Sequence, residues 1–181
     1  MRILVTCAAG SGTSTLGESL ASRWSKTFIE ADSFYWLPTA LPFTEKRTPE
    51  ERGRLMVQAL NEQASTVIAG SVMGWGCQIE NAFDLIIFLY VPTEVRLQRL
   101  KQREFQRFGH AINPAFLEWA AQYDAGPKEG RSLTRHNTWL ATRQCQVIRL
   151  EGNCSVDVWF SEVERQAHHS SNLKSASERT K

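Results

Sequence analysis

Five apolar runs bounded by turn residues organise the chain: residues 3–7 (ILVTC), 27–31 (TFIEA), 66–70 (TVIAG), 84–91 (DLIIFLYV) and 145–151 (CQVIRLE). None alternates cleanly between apolar and polar positions. That is the pattern of strands covered on both faces, so each is read as a buried strand of a parallel sheet. Between the runs the period lengthens. Leu16, Leu20 and Trp24 recur at i, i+4 and i+8 and predict a helix just after the first strand. Thr48-Pro49-Glu50-Glu51 predicts another, with Thr48 as N-cap, Pro49 at the first helical position and Glu51 closing a capping box. Leu55, Met56, Ala59 and Leu60 follow on one face of it. Thr93, after Pro92, is read as the cap of a third helix, and Ser155-Val156-Asp157 opens a last one carrying Val158, Trp159 and Val163. Strands alternating with helices predict a three-layer α/β/α sandwich. From His168 the sequence HHSSNLKSASERTK is almost without apolar residues, so 168–181 is read as a flexible polar tail on a single domain of residues 1–167.

Composition narrows the picture a little. The 181 residues suffice for one full core but not for two independent ones. A formal net charge of +2 is too mild to argue for nucleic acid as a partner. Cys7, Cys77, Cys145 and Cys154 form no C-x-x-C pair and have no histidine at metal-ligand spacing, which fits reduced thiols in a cytoplasmic protein. No segment approaches the ~20 apolar residues needed to span a membrane, and the run before Cys7 is far too short for a signal peptide. The expectation is a soluble cytoplasmic protein without membrane or nucleic-acid partners, monomer and homodimer both being open.

The chemistry concentrates where the first strand ends. Strand, glycine-rich turn and helix start follow one another through Ala8, Ala9, Gly10, Ser11, Gly12, Thr13, Ser14 and Thr15. Such a turn aims successive backbone N–H groups and the positive end of a helix at one small volume, which suits a polyphosphate. The full motif is G-x-x-x-x-G-K-[ST], whose lysine reaches the β- and γ-phosphates and whose hydroxyl ligates Mg2+. Aligned on Gly12 and Ser14, this chain has Cys7 at the first glycine and Thr13 at the lysine. The alternative is a glycine turn that binds nothing.

In open parallel sheets, ligands gather outside the carboxyl ends of the strands. Asp32 stands at the second such end, placed to take an acceptor's proton or to hold Mg2+, and Glu30 points the same way. The competing use of Asp32 is to cap a turn. Gly70-Ser71-Val72-Met73-Gly74-Trp75 follows the third strand. Arg96, Arg99, Arg103 and Arg107, spaced 3, 4 and 4 apart, share one helical face and suit phosphate oxygens. Arg131 and Arg135 lie one turn apart in the stretch 104–143, long enough for a lid over a site. Taken singly, each of these arginines also fits a solvated surface.

On the loop Ala8 to Gly17, on Asp32, on Leu89-Tyr90-Val91-Pro92 and on Arg96 to Arg103, the chain resembles the adenylate kinase-like branch of P-loop kinases, which includes nucleoside monophosphate, shikimate and gluconate kinases. The resemblance covers about residues 1–165. More narrowly, the chain is similar to uncharacterised bacterial AAA-family ATPase or adenylate kinase-like proteins with a GSGTSTLG loop and a DxFYWLPT stretch. The resemblance implies a P-loop NTPase sandwich with five parallel strands in the order 2-3-1-4-5, an acceptor-binding insert at about 36–64 and an arginine lid at about 104–143. It implies ATP and Mg2+, with Ser14 and Asp32 on the metal and the base near Glu151-Gly152-Asn153-Cys154. Arg103 and Gly152 join the nucleotide site, and Arg96, Arg99, Arg131 or Arg135 is placed to supply the charge that Thr13 lacks. In the insert, Lys46 and Arg47 favour an anionic acceptor, Trp36 and Trp75 are placed to stack a ring, and Tyr35 and Ser71 lie beside them. The implied activity is ATP-dependent phosphotransfer to a nucleotide, nucleoside or other small molecule. The alternative is a nucleotide-binding regulator or an ATPase, because of Thr13.

Overall fold

The computed structural model describes residues 1–40, 42–109, 113–126 and 130–178. Each apolar run forms a strand, within one or two residues of its expected limits: β1 (Arg2–Thr6), β2 (Thr27–Glu30), β3 (Thr66–Ala69), β4 (Leu85–Tyr90) and β5 (Gln146–Glu151). They build one parallel sheet in the order β2-β3-β1-β4-β5, the order the resemblance implied. The register places Ile3 beside Val67 on one side and beside Leu85 on the other. The three inner strands are apolar almost throughout and buried almost throughout. The edge strand β5 instead alternates, with Ile148 and Leu150 buried and Arg149 and Glu151 exposed, because part of one face meets solvent.

Helices cover the sheet: α1 (Thr13–Arg23), α2 (Asp32–Tyr35), α3 (Pro49–Glu62), α4 (Cys77–Glu80), α5 (Thr93–Phe108), α6 (Pro114–Ala121), α7 (Leu133–Ala141) and α8 (Val156–Glu178). Helix α1 packs on β1, β2 and β3 and against α8. It approaches closely at Gly17, where a Cβ would stand 2.9 Å from the Phe28 ring and 3.2 Å from Ala69 Cβ. Thr48 caps α3 as expected, accepting a hydrogen bond from the Glu51 N–H at 3.2 Å, with Pro49 at the first helical position. Thr93 does not cap α5: Pro92 holds the cap position, and Thr93 is the first helical residue. Its hydroxyl is drawn away to donate to Asp124 Oδ2 at 2.6 Å and to accept from Arg96 Nη2 at 2.7 Å. Helix α8 continues past His168 to Glu178, so the change in composition there does not end the helix; residues 179–181 lie outside the described residues. The insert at 36–64 comprises an isolated antiparallel bridge between Trp36 and Lys46 followed by α3. The stretch 104–143 holds the end of α5 with α6 and α7, and its residues 110–112 and 127–129 lie outside the description. Among the described residues no helix is long and apolar enough to cross a membrane.

Candidate functional site

The loop begins where β1 ends and closes as α1 starts. Gly10 and Gly12 take left-handed backbone conformations, φ +82° and +93°, which side chains adopt only with strain. At Gly10 space forbids a side chain as well, since a Cβ would come within 2.6 Å of the Arg96 carbonyl oxygen. Gly12 is the residue before α1 and has no side chain to cap it, so the first N–H groups of that helix are left for a ligand. Cys7, at the first-glycine position, is buried against the core; burial pushes its thiol up and keeps it protonated. Thr13 opens α1 and Ser14 follows on its first turn, half-buried, with Thr15 exposed beside it.

Glu30 stands at the carboxyl end of β2, near enough to the Ser14 hydroxyl for that group to act on its carboxyl. Burial raises the Glu30 carboxyl above the usual carboxylate range. The Asp32 and Glu18 carboxylates raise it further, while the Ser14 hydroxyl and the Arg103 charge oppose them. Asp32 begins α2 and is exposed. Sequence reasoning put Asp32 and Ser14 on the metal; the structure brings the Glu30 carboxyl near them. A hydroxyl and two carboxylates are oxygen donors suited to a hard cation that keeps waters and phosphate oxygens as its other ligands. Among the described residues no group of three His, Cys, Asp or Glu side chains forms a protein-only metal site.

The arginines of α5 do not form one solvated stripe. Arg96 is fully buried. It donates from Nε to Val91 O at 3.0 Å, from Nη1 to Ala120 O at 3.2 Å and Ala9 O at 3.4 Å, and from Nη2 to Thr93, with Asp124 at 4.0 Å. Expected as a catalytic charge, it is instead a clamp behind the loop, because its donors are already engaged by the fold. Arg99 reaches the loop from the helix end, donating to Ser11 O at 3.0 Å and to Asn153 Oδ1 at 2.7 Å, with its guanidinium 6.0 Å from the Trp159 ring. Asn153 follows Gly152, the turn after β5, so Arg99 and that turn meet. Arg103 pairs with Glu104, and Arg107 lies over Phe43. Arg135 donates to Gly130 O and is exposed, while Arg131 lies over the Trp119 ring at 5.5 Å.

Across the strand ends stands an aromatic and cationic wall. Tyr35 stacks on Trp75, ring centres 6.3 Å apart and 21° between planes, and meets Trp36 edge-on at 4.9 Å. Of the two tryptophans expected to stack a ring, Trp75 packs on Tyr35, and Trp36 lies between Tyr35 and Phe43, the latter 6.1 Å away at 81°. Lys46 lies 5.8 Å from both the Tyr35 and Trp36 rings, and Arg47 pairs with Glu51. Ser71, after β3, is half-buried nearby in sequence to Trp75. Sequence reasoning missed Arg52, whose guanidinium lies 5.0 Å from Tyr35 and 5.1 Å from Trp75. Among the described residues its buried Nε has no hydrogen-bond partner. Only its place one turn into α3, on the side of the strand ends, could have signalled it.

It also missed a buried chain behind the loop. Cys7 Sγ lies 3.7 Å from Tyr123 Oη, which is 2.6 Å from His136 Nδ1. Burial, and next the Arg131 charge, lower His136 to about 4. A histidine held neutral in the fold and free to protonate when unfolded contributes stability above pH ~6.5, lost as pH falls toward 4. We expect up to roughly 3 kcal/mol to disappear across that window. Urea melts at pH 7 and pH 4.5 check it: His136→Gln should flatten the difference, and an equal loss in both proteins would contradict it.

No family model matches the chain. Over 159 residues it is 40% identical to the uncharacterized protein YqaC of Bacillus subtilis (strain 168), covering 83% of this chain and 88% of that one. The fold is shared with a gluconokinase from Sinorhizobium meliloti 1021 (TM-score 0.59, 17% identity, 96% of this chain and 95% of that one). It is shared also with a shikimate kinase from Acinetobacter baumannii (TM-score 0.57, 16% identity, 95% and 94%).

Proposed function

The chain belongs to the family of Bacillus subtilis YqaC, and we propose that it is an ATP-dependent phosphotransferase acting on a nucleotide, nucleoside or other small-molecule acceptor. One observation carries the reading: the open helix start after Gly12 carries Ser14 on its first turn, with the Glu30 carboxyl close by and Asp32 exposed two residues further on. A nest for phosphates, oxygen donors for a cation and a free carboxylate thus share one end of the sheet. The fold shared with gluconokinase and shikimate kinase supports a small hydroxylated acceptor.

In this reading the loop from Ala8 to Thr15 binds the phosphates of ATP, and Arg99, Arg103 and Gly152 border the nucleotide. Ser14 and Glu30 would hold Mg2+, which when bound neutralises charge on the phosphate oxygens, and Asp32 is left free beside them. Segment 36–64 holds the acceptor among Tyr35, Trp36, Lys46, Arg47, Arg52, Ser71 and Trp75, and segment 104–143 covers the phosphates. Asp32 accepts the proton of the acceptor hydroxyl as that oxygen bonds to the γ-phosphorus and ADP departs. Thr13 favours a second reading, a nucleotide-binding regulator with little turnover, since the loop lacks its own cation.

A thermal-shift titration with Mg2+ and ATP tests both readings. Ligand at ~100 times its dissociation constant adds ~2.7 kcal/mol, several degrees in Tm. The rise should vanish in Gly12→Asp. ADP release that depends on an added acceptor then marks the transferase; binding without release marks the regulator. No rise at millimolar ATP would discard both.

A further inference from the structure

Tyr35 and Trp75 come from different strand ends, and each ring is fixed independently of the other. Tyr35 closes α2 and meets Trp36 edge-on at 4.9 Å. Trp75 stands between Gly74 and Gly76, both left-handed at φ +79° and +99°. The Gly74 N–H donates to Glu80 Oε1 at 2.9 Å. The other oxygen of that carboxylate accepts from the Trp139 indole N–H and pairs with Arg143 at 3.5 Å. The turn that presents Trp75 is thereby fastened to both α4 and α7. The two rings, each half-buried, have centres 6.3 Å apart and planes 21° from parallel. That separation is at the far end of the ~4.5–7 Å range of aromatic pairs. It is also close to the ~7 Å at which a third flat ring fits between two others.

Arg52 stands at the rim of this pair. Its guanidinium is 5.0 Å from the Tyr35 centre and 5.1 Å from the Trp75 centre, so it lies midway between the rings and off the line joining them. Among the described residues no carboxylate pairs with it, and its buried Nε has no hydrogen-bond partner. Aromatic faces compensate the charge of a guanidinium but leave its N–H groups unsatisfied, and a buried donor left so is costly. The unmade bond points to a ligand with acceptor atoms at the edge of the rings. Asp32 lies three residues before Tyr35 on α2, which puts the two on one face, a turn apart. A hydroxyl at Asp32 and a flat ring at Tyr35 fit within one nucleoside.

We propose that the acceptor is a nucleoside whose base enters between Tyr35 and Trp75 and offers two neighbouring acceptor atoms to Arg52, as guanine does with O6 and N7. The proposal deepens the phosphotransferase reading above and rests on it. The rings supply stacking, which tolerates any base. The choice of base comes from the guanidinium. Its Nε and one terminal nitrogen form a planar fork that matches O6 and N7 of guanine. Adenine sets a donor, its N6 amino group, at the same edge. An acceptor without a flat ring has nothing to place between Tyr35 and Trp75. In the step that follows, the nucleoside hydroxyl oxygen bonds to the γ-phosphorus and its proton passes to Asp32. The bond from phosphorus to the bridging oxygen breaks, and its electron pair leaves on ADP.

Calorimetric titration of guanosine, adenosine and gluconate tests it, with Mg-ADP at saturation so that neither nucleoside enters the loop site. Guanosine should bind saturably, adenosine about tenfold more weakly or worse, and gluconate not at all. Arg52→Met keeps an apolar stem against the rings and should erase the preference for guanosine. Trp75→Leu should weaken both nucleosides by about tenfold or more. Thermal melting checks that each variant folds, and the preference of the native chain remains a test if one does not. Equal affinities for guanosine and adenosine in the native chain overturn the proposal and leave the phosphotransferase standing. So does a preference that survives in Arg52→Met, or gluconate bound in place of the nucleosides. A native chain with no rise in Tm on adding Mg-ATP overturns the phosphotransferase and, with it, guanosine as acceptor.

Discussion

On the proposed transfer, Asp32→Asn should reduce kcat by about 10²–10⁴-fold, the usual contribution of a positioned general base, while the Mg-ATP rise in Tm persists. The two carboxylates at the end of β2 are in different situations. Glu30 is half-buried, whereas Asp32, at the first position of α2, is exposed at the strand ends. Asparagine keeps the size and the helix-start position but cannot take a proton. Acceptor-dependent ADP release at saturating ATP measures the effect. A loss smaller than tenfold would reassign Asp32 to capping α2, the ordinary use of aspartate at such a turn.

Gly10→Val is expected to abolish the nucleotide response altogether. The new Cβ would sit 2.6 Å from the Arg96 carbonyl, which belongs to the backbone of α5 and cannot swing aside, at φ +82°. Backbone strain of this kind costs about 1–3 kcal/mol before any clash, and the loop has to open to relieve it. The control is Gly76→Ala, with φ +99° and nothing within 4 Å of a built Cβ. It carries the conformational cost alone and should leave binding intact. Thermal melts with and without Mg-ATP distinguish the two, and a Gly10→Val protein that still responds to ATP would show that the loop is not the nucleotide site.

Much of the architecture was legible because it is written locally. Continuous burial of β3 and β4 leaves long apolar runs, and a Thr-Pro-x-Glu helix start satisfies its own N–H groups within four residues. The glycine loop between β1 and α1 was legible for the same reason: its turn is made by backbone and glycine. What escaped is non-local. Arg96 reads as one cation among four on a helix until Val91, Ala9 and Ala120 close around it. Thr93 has the composition of a cap, but Asp124, far along the chain, claims its hydroxyl. Nothing in sequence spacing joins Cys7 to Tyr123 and His136, or sets Arg52 over Tyr35 and Trp75, since each needs elements from opposite parts of the fold.

The strand order has a consequence for how the chain is made. β1 lies in the middle of the sheet, between β3 and β4, yet it leaves the ribosome before either. Ile3, Leu4 and Val5, all wholly buried at the end, have no partner until Val67 emerges and are flanked on both sides only after Ile87. At ~5–20 residues per second, this apolar strand waits for several seconds beside a nascent β2 that never pairs with it. The glycine loop that follows β1, which needs that strand fixed from both sides, is therefore among the last features of the molecule to take shape.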